Sequence, residues 1–220
     1  MKQIVLFGAH LSPYVRKTRL VLALKGLDYT LIPVIPFMPN QPEEFTLNSP
    51  LGKIPLLKID EQYIPDSSVI CAFLDKETPR PALLPENNLE CARAQWFEEY
   101  SDSKMTSVIG GHLFAEKVLA PALFKRASNQ KEIDLAINIE LPEIFDYLSS
   151  QLTGDYLVGD SLTLADISVC SQFVSMAHCQ VECDASKWPK LSAYIKRMHS
   201  LPVFSHIIKE EQQVLQSFMP

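Results

Sequence analysis

No stretch of this chain is apolar for long enough to cross a bilayer: its longest uninterrupted runs, such as Leu20 to Leu24, fall far short of the roughly 20 residues a span requires. Room for a secretory leader is missing too, because Met1-Lys2 leads directly into the apolar Gln3–Gly8 run, and a cytosolic location is the expectation. Positive charge is in deficit: the net charge is −6, the isoelectric point is near 5.4, and no basic tail interrupts that balance. A protein that grips nucleic acid through its overall field is therefore not expected. Cysteine is present but unorganised. Cys71, Cys91, Cys170, Cys179 and Cys183 are odd in number and contain no Cys-x-x-Cys pair, and in a reducing compartment free, mostly buried thiols are expected. His178, Cys179 and Cys183 lack a fourth ligand and any zinc-like spacing, so no metal site is expected. Internal repeats and low-complexity segments are absent as well.

What is present is enough chain, 220 residues, for one large domain or two modest ones. The organising stretch is Gln3 to Gly26. Gln3-Ile-Val-Leu-Phe-Gly8 predicts a strand and Ser12-Pro13-Tyr14 opens a helix, with Ser12 as N-cap, Pro13 at the first helical position and Gly26 just past the last turn. Tyr29–Val34 predicts a second strand, parallel to the first. Pro33, Pro36, Pro39 and Pro42 keep the chain irregular through Gln41, and a short helix is expected over 43–47. Lys53–Asp60, a turn at Glu61-Gln62 and Tyr63-Ile64 predict a hairpin, followed by a third helix over 69–77 capped within Asp66-Ser67-Ser68.

Residues 1–77 thus predict a βαβ unit followed by ββα. The proline-rich 78–87 segment predicts a linker, and 88–220 an all-helical bundle. In the bundle, Leu89–Leu119 is expected to kink or pack closely at Gly110-Gly111, and Lys131–Leu152 to bend or start late at Pro142. Ser12 places a hydroxyl where helix-start N–H groups and the positive dipole end point outward, a spot suited to an anion or a thiolate. Plain helix capping accounts for the same residue equally simply.

Four stretches in order resemble the cytosolic glutathione transferases, over essentially the whole chain. Ser12-Pro13-Tyr14-Val15-Arg16-Lys17 is similar to the active-site loop of serine-type members, notably bacterial and plant-like ones. Asn48–Pro55 resembles the family's segment ending in a cis proline, Asp66-Ser67 its acid–serine pair, and Gly159–Asp166 its buried capping box with Thr163 at N-cap and Asp166 at N3. The resemblance implies a thioredoxin-like βαβ-ββα domain followed by a helical domain. It further implies that Ser12 donates to the glutathione sulfur, that Asp66 and Ser67 hold the γ-glutamyl head, and that Ile54 pairs through its backbone with the cysteinyl part. Lys53 would meet the glycine carboxylate. Where relatives often add a Lys or His, this chain has Phe37–Gln41, so a second contact is missing or falls to Asn40.

A small electrophilic second substrate is expected between the domains, with Met105, Ile109 and His112 on one helix face and Phe218 as a possible cover. Buried core is the competing reading of those three. The function so implied is a homodimeric glutathione S-transferase working in detoxification, with glutathione as co-substrate and no metal, nucleic acid or membrane partner. Alternatives are a glutathione-dependent isomerase, dehalogenase or peroxidase of the same fold, or a non-catalytic interaction protein of the stringent-starvation-regulator type.

Overall fold

The structure, a computed structural model, describes residues 3–218 apart from the Phe218 side chain, so the cover expected of Phe218 lies outside the described residues. Its contacts divide it into two units, residues 1–84 and 85–220.

The first unit is a four-stranded sheet of order β2-β1-β3-β4. Its strands are β1 (Ile4–Gly8), β2 (Thr30–Pro33), β3 (Leu56–Ile59) and β4 (Gln62–Pro65), and its helices α1 (Pro13–Leu24), α2 (Glu43–Asn48) and α3 (Ser67–Glu77). Strand β1 runs parallel to β2 and antiparallel to β3, which pairs antiparallel with β4. Every residue of β1 is buried, as its unbroken apolar sequence requires of a central strand covered on both faces. Alternation along the strands sends Val5, Phe7 and Leu56 to one face, where they pack with Val34 and with Phe45 of α2. Leu6 and its partner Leu57 take the opposite face, fully buried.

Helix α1 stops where the sequence says it should: Gly26 takes φ 66°, and the Leu27 N–H bonds the Leu22 carbonyl at 2.9 Å, closing a Schellman turn. Helix α3 begins at Ser67, two residues before the expected start, because Asp66 caps it, accepting from the N–H groups of Ser68 at 2.8 Å and Val69 at 3.2 Å.

The second unit contains α4 (Asn88–Tyr100), a π-helical continuation over Ser101–Leu119, a short turn α5 (Ala120–Ala122), α6 (Gln130–Leu135), a π-helical Ala136–Glu140, α7 (Leu141–Gln151), α8 (Leu164–His178), α9 (Pro189–Ser200) and α10 (Pro202–Phe218). Helix α8 is buried at every residue but Ala177 and forms the centre. Its start is the expected capping box: Asp166 Oδ2 accepts from the Thr163 N–H at 2.9 Å, while Oδ1 accepts from the Leu157 N–H and the Tyr194 hydroxyl.

The glycines of the long helix do not admit a neighbour: a Cβ on Gly111 would meet nothing, and one on Gly110 only Thr106 of the same helix, at 3.4 Å. The long helical runs are instead marked by π-type hydrogen bonding that reaches five residues back, as from Leu141 N–H to Ala136 O. Pro142 and Pro121 supply a reason at the ends of the two π segments, since proline has no N–H for the carbonyl four residues back and its ring crowds that carbonyl. Nothing in the structure explains the remaining length of the first. The five cysteines form no disulfide; all but Cys91 are buried, and burial pushes the thiols of Cys179 and Cys183 up to about 12 and about 11.

Candidate active site

The register of the sheet decides which functional residues meet. Gly8, the last residue of β1, pairs with Pro33 of β2; Phe7 pairs with Leu56, the first residue of β3; and Leu56 pairs with Pro65, the last of β4. One end of the sheet therefore collects the loop into α1 with Ser12, the Ile54–Pro55 entry to β3, and the Asp66-Ser67 start of α3. The loop that leaves β2 toward Asn40 departs from that end too.

Two helices start there, and their orphan N–H groups and positive dipole ends favour negative charge. Lys17 joins them, its Nζ donating to the Ser68 hydroxyl at 3.3 Å. Ser12 is half-buried. Its hydroxyl accepts from the Val15 N–H at 3.4 Å, which uses an oxygen lone pair and leaves its own hydrogen to be donated outward. Arg16 and Lys17 follow in the first turns, fully buried, and Arg16 donates to the Leu11 carbonyl in the loop just before Ser12.

Gly8 permits this close approach. A Cβ there would lie 2.4 Å from one methyl of the buried Val15 and 3.0 Å from the other, so the first turn of α1 can rest on the end of β1 only above a glycine. The sequence marks Gly8 only as a strand end; the contact that requires glycine is tertiary and leaves no local signal.

Ile54 precedes the first β1–β3 pair, outside the ladder, with its side chain packed on the core shared by Phe7 and Phe45. Its bond to Pro55 is cis. Lys53 is exposed, and its carbonyl accepts from Ser49 Oγ at 2.9 Å. Asp66, at φ 74°, is exposed, and Ser67 beside it is buried. Asn40 is exposed at φ 62° in the loop between β2 and α2. Helix α2 is tied to the sheet by Glu44, which accepts from Lys58 at 2.6 Å and Tyr63 at 2.8 Å; those bonds hold its carboxyl below the usual range.

Of the three residues expected to line a second-substrate pocket, two are buried and one is half-buried. Met105 and Ile109 are 0% exposed, so the shared helix face predicted for them is a core face. His112 is half-buried and paired through Nδ1 with Glu140 Oε2 at 2.6 Å.

Models of the glutathione S-transferase N-terminal and C-terminal domains match residues 6–82 and 115–210. The chain belongs to the glutathione S-transferase family. Glutathione S-transferase U3 of Arabidopsis thaliana is 24% identical over 97% of this chain and 92% of that protein. The mouse maleylacetoacetate isomerase is 26% identical over 86% of this chain and 84% of its own. A solved glutathione transferase homologue from Drosophila mojavensis with bound glutathione superposes with a TM-score of 0.78 at 27% identity, over 99% of this chain and 97% of that one. As a glutathione S-transferase, the protein has the mixed four-stranded, thioredoxin-like domain and the helical domain of that fold, and its activity is of the glutathione transferase type. Among the described residues no helix is long and apolar enough to cross a membrane.

Proposed function

We propose that this protein is a serine-type glutathione transferase in which the Ser12 hydroxyl donates to the glutathione sulfur and lowers the pKa of its thiol. The observation that carries the reading is the meeting, at one sheet end, of Ser12, Ile54 and Asp66-Ser67 with the starts of α1 and α3. Glutathione brings a zwitterionic head, a thiol and a glycine carboxylate, and the residues offer chemistry for each. Asp66 caps α3 through Oδ1, which leaves its other carboxylate oxygen for the head's ammonium, while the start of α3 and the Ser67 hydroxyl suit the head's carboxylate. Ile54 offers its backbone N–H and C=O outside the ladder to the cysteinyl unit, as a neighbouring strand would. Lys53 and Asn40 serve the glycine carboxylate.

The magnitudes suffice. Moving a thiol from about 8.5 to about 6.5 requires roughly 2.7 kcal/mol of preferential thiolate stabilisation. A charge-assisted hydrogen bond supplies about 1.5 to 3 kcal/mol, and a helix start about 0.3 to 1 more. The thiol proton departs to water, the thiolate attacks an electrophilic atom of the second substrate, and a carbon–sulfur bond forms as that atom's leaving group or π-electron pair is released. Ser12 makes no covalent bond, so it needs no general base. The protein acts in the cytoplasm as a homodimer in this reading.

Spectroscopic titration of bound glutathione thiolate is the test. In wild type the apparent thiol pKa is expected well below 8.5, and in Ser12→Ala it is expected to return by one to two units, about 1.4 kcal/mol for each, with glutathione binding largely kept. An unchanged pKa in the variant would overturn the assignment. The mouse isomerase similarity favours a second reading in which glutathione adds, the substrate rearranges and glutathione is expelled. Net consumption of glutathione in turnover separates the two: conjugation depletes it mole for mole, and isomerisation regenerates it.

A further inference from the structure

We propose that Gln41 is a positioning residue for glutathione: it locks the loop between β2 and α2 so that Asn40 is presented to the glycine carboxylate. The proposal rests on the glutathione reading above and adds to it the residue that sets one end of the site. The loop leaves β2 after Pro33, whose partner is Gly8, and so begins at the sheet end that carries Ser12, Ile54 and Asp66. It is poor in backbone donors, because Pro36 and Pro39 have no N–H. The Val34 N–H ties its start to the Gly8 carbonyl at 3.1 Å, and a backbone bond from Met38 N–H to Ile35 O at 2.9 Å turns it.

The side chain of Gln41 adds two more bonds. Its Nε2 lies 2.5 Å from the Ile35 carbonyl and 2.6 Å from the Met38 carbonyl. Both neighbours are acceptors, which fixes the orientation of the amide, since only its NH₂ side can face two carbonyls. Both amide hydrogens are thereby engaged, and what the side chain has left is an oxygen that can only accept.

An accepting oxygen cannot hold a carboxylate, so the Gln41 side chain is not itself a donor to the glycine end. Asn40, immediately before it, is different. It is exposed and sits at φ 62°, a left-handed conformation that asparagine tolerates better than most residues. Exposed, it has a side-chain amide and a backbone N–H to offer a carboxylate, whereas the Ile35 and Met38 carbonyls are engaged by Gln41.

The experiment compares glutathione with γ-glutamylcysteine, which lacks the glycine, as ligands for the full-length protein. Gln41→Met keeps length and removes both donors; it is expected to weaken glutathione about tenfold, on the scale of the two hydrogen bonds lost, while changing γ-glutamylcysteine affinity and kcat by less than about twofold. Gln41→Glu, which turns a carboxylate on the two carbonyls, should lose more. In an Asn40→Gly background, which tolerates the left-handed backbone, Gln41→Met should cost less than about twofold further, because the residue it positions is gone.

The proposal is overturned if Gln41→Met binds glutathione like wild type, if both ligands weaken equally, or if the Asn40→Gly and Gln41→Met losses simply multiply. A wild type that binds γ-glutamylcysteine as tightly as glutathione overturns it too, with the head and thiol contacts standing. A wild type that binds neither sinks the glutathione reading itself along with this one.

Discussion

A methyl group is the largest difference that the Gly8 position can register, and it is too large. Val15 is β-branched and fully buried, so its methyls cannot rotate away from a Cβ 2.4 Å off without meeting the core; either the helix lifts or the strand end shifts. Gly8→Ala is expected to destabilise by about 1 to 3 kcal/mol in urea unfolding, the usual cost of overpacking, and to lower transferase activity because the displaced turn carries Ser12. Val15→Ala in the same chain should recover part of the loss, as the clashing methyls go with it. Wild-type stability in Gly8→Ala would show that α1 does not press on β1 as the geometry has it. Ser12 and Gly8 differ in how openly the sequence announces them. Ser12-Pro13 is a local signal, legible because capping needs only the next three residues. Gly8 answers to a contact seven residues away across a loop, and Gln41 to two carbonyls in its own turn, neither of which any residue pattern encodes.

At the scale of elements, helix starts and strand runs were legible for the same reason, and what escaped reading was decided by tertiary partners. The segment 78–84 has the prolines of a linker, yet the first unit extends to Leu84. Lys25, at the end of α1, is the cause: its buried Nζ donates to Asp75 Oδ1 at 2.6 Å and to the carbonyls of Thr78 at 2.7 Å and Pro81 at 2.5 Å. Asp75 on α3 in turn accepts from the N–H groups of Leu83 and Leu84. One buried ion pair thus fastens α1, α3 and the departing chain together. Asp75→Ala leaves a buried ammonium without its counter-charge and two N–H groups without an acceptor, so about 3 to 5 kcal/mol of stability should be lost. Limited proteolysis should then cut within 78–84 well before it cuts elsewhere. If the variant resists protease and urea like wild type, the clamp holds nothing. The π-helical runs escaped in a different way: Pro142 was visible, but a proline can end, kink or widen a helix, and its neighbours do not say which.

Over the whole molecule, the sequence correctly gave an N-terminal α/β unit and a helical one, because period-two and period-3.6 patterns follow burial on one face. It left the face holding Met105 and Ile109 open between core and pocket, since a core face and a pocket face share that period. The second unit has another apolar face, and this one is open. On α4, Trp96 is 51% exposed and stands one turn before Tyr100; both meet Tyr147 of α7, by a 2.6 Å hydrogen bond from the Trp96 indole and a ring contact of 4.7 Å. Leu135 and Ile139, 42% and 55% exposed, precede Glu143 and Tyr147 at intervals of four residues along the neighbouring helical run. So much exposed aromatic and aliphatic surface on one side suits a permanent partner, and it is where the proposed homodimer would form. Leu135→Glu with Ile139→Glu should convert a species near twice 24.8 kDa into one of 24.8 kDa in sedimentation velocity, without loss of helix by circular dichroism. Two carboxylates buried unpaired in such a contact would cost several kcal/mol. A double variant that still sediments as a dimer would place the contact on another face, and a wild type that sediments at 24.8 kDa would remove the dimer altogether.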